Sequence, residues 1–147
     1  MTKIYMVEFN RFYYFDCFDK EAVEDRYTIG YYTSIELANN AILKCMNETG
    51  YKREKYNIIE YDILCGRNQK YLYVLNYEFS IKNEQGEYED FYYKFEPCSN
   101  KSKCLDMKNE LIQNDKIKIK NNAIYYASID GFYVDKIKIN FTNVIYL

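Results

Sequence analysis

The sequence predicts an α+β protein in which antiparallel sheet carries two helices, arranged as two ββαβ-like units. Three observations lead there. Runs rich in Ile, Val, Tyr and Phe, bounded by turn residues, recur along the chain and read as strands. Two stretches carry apolar residues at helical spacing after a good capping residue. A faint internal repeat links the halves. Ile4-Tyr5-Met6-Val7 matches Leu72-Tyr73-Val74-Leu75 at one offset, and Glu24-Asp25-x-Tyr27 and Ser34 match Glu89-Asp90-x-Tyr92 and Ser99 at a slightly shorter one. The expected division is residues 1–66 and 67–147, packed as one compact protein.

Residues 3–9 (KIYMVEF) form the first strand, and the aromatic and acidic stretch 12–23 reads as a strand end and a loop. Residues 25–32 (DRYTIGYY) return as the second strand. Ser34 is suited to cap a helix, with Glu36 in its first turn where the helix dipole favours an acid. Leu37, Ala38, Ala41, Ile42, Cys45 and Met46 make one apolar stripe, and Gly50 supplies the stop. Residues 56–64 (YNIIEYDIL) are a strand, and Gly66-Arg67-Asn68-Gln69 is the linker. In the second half, residues 71–81 and 88–95 form a hairpin turning at Asn83-Glu84-Gln85-Gly86. Ser99 or Ser102 then caps a helix to about Asn114, with Cys104, Leu105, Leu111 and Ile112 inward. Residues 123–129 and 132–141 close the unit as a hairpin turning at Asp130-Gly131, and residues 144–146 extend its last strand.

Composition excludes several function classes. The 147 residues contain no His and no Trp but 19 Tyr. Without imidazole the commonest general base, metal ligand and nucleophile partner are missing. Serines 34, 99 and 102 sit where helix caps belong, and no GxSxG turn or glycine-rich phosphate loop occurs. Five cysteines without a CxxC pair give no zinc spacing. They read as free thiols, with Cys45 on a helix core face and Cys98 and Cys104 beside a helix N-terminus that could lower a thiol's pKa. Glu24-Asp25 and Glu89-Asp90 are paired acids, but adjacent strand residues face opposite sides and one pair does not converge on one ion. The expectation is a protein that is not an enzyme and takes no cofactor or metal.

A net charge of −2, from 20 basic and 22 acidic residues, argues against direct nucleic-acid binding. No apolar run approaches the ~18 residues of a membrane span, and the start MTKIYMVEF lacks a signal-peptide pattern, so a cytoplasmic protein is expected. The positive signal is aromatic. Tyr31-Tyr32, Tyr92-Tyr93 and Tyr125-Tyr126 are doublets on expected strands, which places one ring inward and its neighbour outward. Phe12-Tyr13-Tyr14-Phe15 adds an uninterrupted aromatic run beside five acids, Asp16, Asp19, Glu21, Glu24 and Asp25. Tyr13, Tyr14, Phe15 and these acids form the expected partner-binding surface. Part of the tyrosine excess follows the Lys-, Asn- and Ile-rich composition of AT-rich coding sequence.

The stretch IGYYTSIELANNAI, following KIYMVEF, resembles a small uncharacterised domain scattered through bacteria, phages and mobile elements. That domain pairs a G-x-Y-x-S strand end, here Gly30-x-Tyr32-x-Ser34, with an alanine-rich helix. Gly50-Tyr51 and YNIIEYDI fit the same pattern, which covers about the first 65 residues and carries no catalytic residues to transfer. The second half departs from it, with no counterpart of Gly30 and no helix alanines. In general character, small, acidic and free of His, the chain is similar to phage inhibitors of host defence, of which anti-CRISPR proteins are the best-known class.

The resulting expectation is a cytoplasmic protein-binding inhibitor. Its acids meet a basic nucleic-acid channel of a defence protein, such as a nucleic-acid-guided nuclease, while Tyr13, Tyr14 and Phe15 anchor it. A second reading is sequestration of a nucleotide signal by a basic comb of Lys116, Lys118 and Lys120 with tyrosine rings. A third is a structural role in which exposed strand edges and tyrosine patches build a homo-oligomer.

Overall fold

The computed structural model describes residues 2–15, 20–114, 123–125 and 128–146, with backbone alone for 12–15 and 20–24. Their strands form two antiparallel sheets, each carrying one helix, so the α+β class holds. The chain divides into a first unit, Met1–Cys65 with Lys138–Leu147, and a second, Gly66–Ile137. The boundary at Cys65/Gly66 lies beside the expected linker. The last ten residues, however, belong to the first unit and not, as the sequence pattern implied, to the second.

In the first unit, β1 (Thr2–Phe15) lies between β2 (Lys20–Tyr32) and β3 (Tyr56–Ile63). The stretch expected to loop out after residue 12 is instead ladder, since pairing continues to Phe15 opposite Lys20. Helix α1 (Ile35–Thr49) begins where Ser34, in extended conformation, accepts a hydrogen bond from the Leu37 N–H at 3.1 Å. It ends at Gly50, whose φ of 77° is the left-handed cap that glycine adopts without strain. The apolar stripe is real: Ala38, Ala41, Ile42 and Cys45 are buried against Val7, Phe9, Ile29, Tyr32 and Tyr56. The Phe9 ring meets Tyr56 edge-on at 5.3 Å and Tyr51 at 5.1 Å. Tyr31 and Tyr32 are both buried, which corrects the inward–outward expectation for that doublet.

The C-terminal segment completes this unit. Beyond the last strand it runs antiparallel to β2, with Asn140 N–H donating to the Tyr31 carbonyl and Asn143 N–H to that of Ile29, each at 2.8 Å. Val144 and Ile145 pack onto the core beneath α1. Tyr146 reaches the helix and donates its hydroxyl to Glu48 at 2.8 Å, while the Tyr32 and Thr142 hydroxyls share a bond of the same length. Gly30 is the enabling residue. A Cβ there would collide with the Phe141 carbonyl and sit 2.6 Å from the Tyr32 hydroxyl. This segment is not the strand extension its alternating pattern implied; it is a cover over an edge and a groove.

In the second unit, β4 (Tyr71–Lys82) pairs with β5 (Tyr88–Cys98) on one side and with β6 (Ala123–Ile124) and β7 (Phe132–Lys138) besides. The β4–β5 turn is held by Asn83, whose Oδ1 accepts from the Gln85 and Glu87 N–H groups, with Gly86 at φ 80°. Helix α2 (Lys101–Gln113) is capped by neither expected serine. Asn100 Oδ1 accepts from Lys103 N–H at 2.9 Å, one residue beyond Ser99. Cys104 is buried, Leu111 and Ile112 half-buried, and Leu105 exposed, against its expected inward position.

The core of this unit is aromatic: Tyr77 stacks on Phe132 at 4.4 Å and Phe79 on Phe91 at 5.0 Å. Gly131 turns the chain into β7 with φ 82°, but the expected hairpin of residues 123–129 and 132–141 does not form: among the described residues β6 and β7 each pair with β4, the strand that offers both of them a partner edge. Next to Gly131, burial pushes the Asp130 carboxyl up, but Lys108 at 2.5 Å, the Phe132 N–H and the Ser128 hydroxyl more than offset this and hold it below its usual range. Among the described residues no helix is long and apolar enough to cross a membrane.

Candidate interaction surface

The expected partner-binding residues fall on the far part of the β1–β2 hairpin. β3 accompanies β1 only from Thr2 opposite Ile63 to Phe9 opposite Tyr56. Beyond Phe9, β1 and β2 continue as a two-stranded ribbon, with Phe12 opposite Val23, Tyr13 opposite Ala22, Tyr14 opposite Glu21 and Phe15 opposite Lys20. Arg11 stands opposite Asp25, and the register then skips Glu24. Glu24 is thus the extra residue of a β-bulge, a feature that bends a ribbon and tightens its twist. Of the expected aromatic and acidic residues, the register sets Tyr14 directly opposite Glu21, with Tyr13 opposite Ala22, Phe15 opposite Lys20 and Asp25 opposite Arg11 on the same ribbon. Asp16 and Asp19 lie outside the described residues, as do Lys116, Lys118 and Lys120 of the alternative ligand reading.

The structure adds a polar face that the sequence reading passed over. Along β4 the odd residues Leu75, Tyr77 and Phe79 face α2, and the even ones Asn76, Glu78 and Ser80 face the opposite side. Asn76 is fully buried, and its amide donates to the Val74 carbonyl and to Asp135, each at 3.1 Å. The Tyr92 hydroxyl donates to Asn76 Oδ1 at 2.6 Å, that of Tyr133 to Glu78 at 3.1 Å, and that of Ser80 to Asp90. Burial raises the pKa of the Tyr92 phenol; for Tyr133 burial and then its neighbours Tyr92 and Glu78 do the same. Each hydroxyl is therefore held protonated and donating, which is how buried polar groups are satisfied, not how a nucleophile is activated. Polar residues at 76, 78 and 80 between aromatic odd positions were the available signal.

The thiols are placed for packing. Cys45, Cys98 and Cys104 are buried and reduced, and Cys65 is half-buried. Burial pushes all three buried thiols up, Cys104 to about 12. For Cys98 and Cys104 this agrees with the expectation of structural thiols: burial, and not the nearby helix N-terminus, sets their pKa. No group of three or more Cys, Asp or Glu side chains is arranged to hold a metal ion among the described residues.

No protein-family model matches the chain, and neither a curated protein nor a solved structure matches it.

Proposed function

We propose that this protein binds another protein and acts by covering it, as an inhibitor of a bacterial defence system of the anti-CRISPR type. The observation that carries this reading is the β1–β2 ribbon, which runs on past the end of β3 with four successive aromatic residues on one strand and Glu21, Glu24 and Asp25 on the other. A two-stranded arm, bent and twisted by its bulge, carries its residues beyond the three-stranded part of the sheet. Aromatic anchors on it supply contact area at small entropic cost, and acids beside them steer and orient a basic partner. The surface it complements is a cationic nucleic-acid channel, which the arm would occlude.

The reading involves no catalytic step. It agrees with buried, protonated thiols and with tyrosine hydroxyls committed to internal bonds.

The test is phage plaque formation on hosts carrying a panel of nuclease-based defence systems, with and without the expressed chain. Protection against at least one system is expected, with its loss in the Glu21→Lys, Glu24→Lys, Asp25→Lys variant and in Tyr13→Ser, Tyr14→Ser. Protection that survives both variants removes the ribbon from the mechanism. Absence of protection throughout the panel sinks the anti-defence reading.

A further inference from the structure

The two units repeat one topology. In each, the first strand is central, the second lies on one side, and the strand after the helix lies on the other. The correspondence reaches individual positions. Val7 and Phe9 face α1 as Leu75 and Tyr77 face α2, and the register of the first two strands shifts at Val7/Glu8 in one unit and at Val74/Asn76 in the other. Counted from their caps, Ala38, Ala41 and Cys45 of α1 fall where α2 has Cys104, Met107 and Leu111.

The units differ in what lies along the second strand. In the first, the outer edge of β2 receives two backbone hydrogen bonds from the C-terminal segment, whose Val144 and Ile145 fill the space between strand and helix. In the second, the corresponding edge strand β5 pairs only with β4 among the described residues, and Tyr88, Tyr92 and Tyr93 along it are about half exposed. The corresponding space is an open groove of about 410 Å³ lined by Lys94, Phe95 and Glu96 of β5 and Met107, Glu110 and Leu111 of α2. Every second residue of an edge strand turns its N–H and C=O outward, a template for another strand.

We propose that the β5–α2 groove is a second interaction site, which takes an extended segment of a protein partner by antiparallel strand addition. The segment places aliphatic side chains over Phe95, Met107 and Leu111, as Val144 and Ile145 do over the first unit's core. Its flanking residues are lysine or arginine. Glu96 and Glu110 in the groove and Glu89 on the strand outnumber Lys94, and charge complementarity of this kind selects partner and register. A second copy of this chain presents the same acidic strand and is the poorer match. This site is separate from the β1–β2 ribbon and does not depend on its role.

The probe is a synthetic decapeptide with the sequence of residues 138–147, and a version of it carrying Asn140→Lys and Asn143→Lys. Each is titrated into the full-length ¹⁵N-labelled protein while backbone amide resonances are followed. The expected result is saturable shifts on β5 and α2, with the lysine version tighter by about ten-fold, the yield of two exposed charge contacts. N-methylation of alternate peptide nitrogens should abolish binding, because strand addition needs those donors. Glu96→Lys with Glu110→Lys, two exposed substitutions, should remove the lysine advantage and leave the parent peptide's affinity in place.

Three outcomes would overturn the proposal. One is no binding of either peptide up to about 1 mM, the weak limit for a specific segment. Another is shifts confined to β2 and α1, which would mean exchange with the protein's own C-terminal segment. The last is concentration-dependent broadening of β5 without peptide, which would make the groove an interface between copies.

Discussion

The two units share a strand order but not a way of finishing it. The first packs a helix of small residues, Ala38, Ala41 and Cys45, close to its sheet and closes the remaining edge with a segment from the far end of the chain. The second packs a polar helix with a single fully covered residue, Cys104, over stacked rings of Tyr77, Phe79, Phe91 and Phe132, and its edge strand β5 has no outer partner among the described residues. A ββαβ unit of this size has one strand edge and one strand–helix groove that its own elements do not cover. How each is dealt with decides whether the unit is closed or available. The first is closed by sequence-distant residues. Among the described residues, nothing closes the second.

The sharpest way to break this comparison is to remove the cover. Ending the chain after Lys138 exposes Val144 and Ile145's site and the β2 edge, and should destabilise the protein by roughly 3–5 kcal/mol, from lost apolar burial and backbone hydrogen bonds. Urea denaturation would register it. A truncated protein as stable as the parent would show that the first unit needs no cover, and the parallel with the second would fail.

Next comes alkaline stability. Cys45, Cys98 and Cys104, together with Tyr32, Tyr56, Tyr77 and Tyr133, all have pKa values raised by burial in the folded state. Raised folded values mean that the unfolded chain releases these protons first. Stability is therefore complete below the ordinary thiol range and falls as pH rises through it, by at most about 1.4 kcal/mol per pH unit for each group. Denaturation midpoints measured from neutral pH upward should begin to fall near pH ~9, and Cys104→Ala should flatten the slope. A flat profile would contradict the buried placement of these groups.

Gly30→Ala tests the cover from the strand side. The added methyl meets the Phe141 carbonyl and the Tyr32 ring, so a loss of about 2 kcal/mol is expected. Gly86→Ala, where only the Lys82 side chain lies near, should lose about 1 kcal/mol from its positive φ alone. Equal losses would mean that the C-terminal segment does not press on β2.

The smallest effect is expected at the polar face. Tyr92→Phe removes the hydroxyl that Asn76 accepts from and should lower stability by roughly 1 kcal/mol, read as a small shift in thermal midpoint. No change would mean that water replaces the phenol there.

Much of the fold was legible because it rests on local signals. The α1 stripe, its Ser34 cap and its Gly50 stop, the Asn83–Gly86 turn and the Gly131 turn all depend on residues within a few positions of one another. The candidate ribbon was legible in content but not in form. Its aromatic and acidic residues stand out in the sequence, yet nothing local says that pairing persists to Phe15 while β3 stops at Phe9. The cap of α2 missed by one residue because Ser99, Asn100 and Ser102 are all competent, and backbone conformation picks among them.

From its residues alone the chain determined its class, its elements and the absence of imidazole chemistry, since period, caps and side-chain inventory are properties of short windows. Only the folded molecule decided which edges are paired. Tyr31 became as buried as Tyr32, the last ten residues joined the first unit, and β5 was left without a neighbour on its outer side among the described residues. The physical reason is that a strand's hydrogen-bonding edge carries no side-chain signature: every residue but proline offers the same N–H and C=O, and what meets them is settled by distant chain segments competing for the same place.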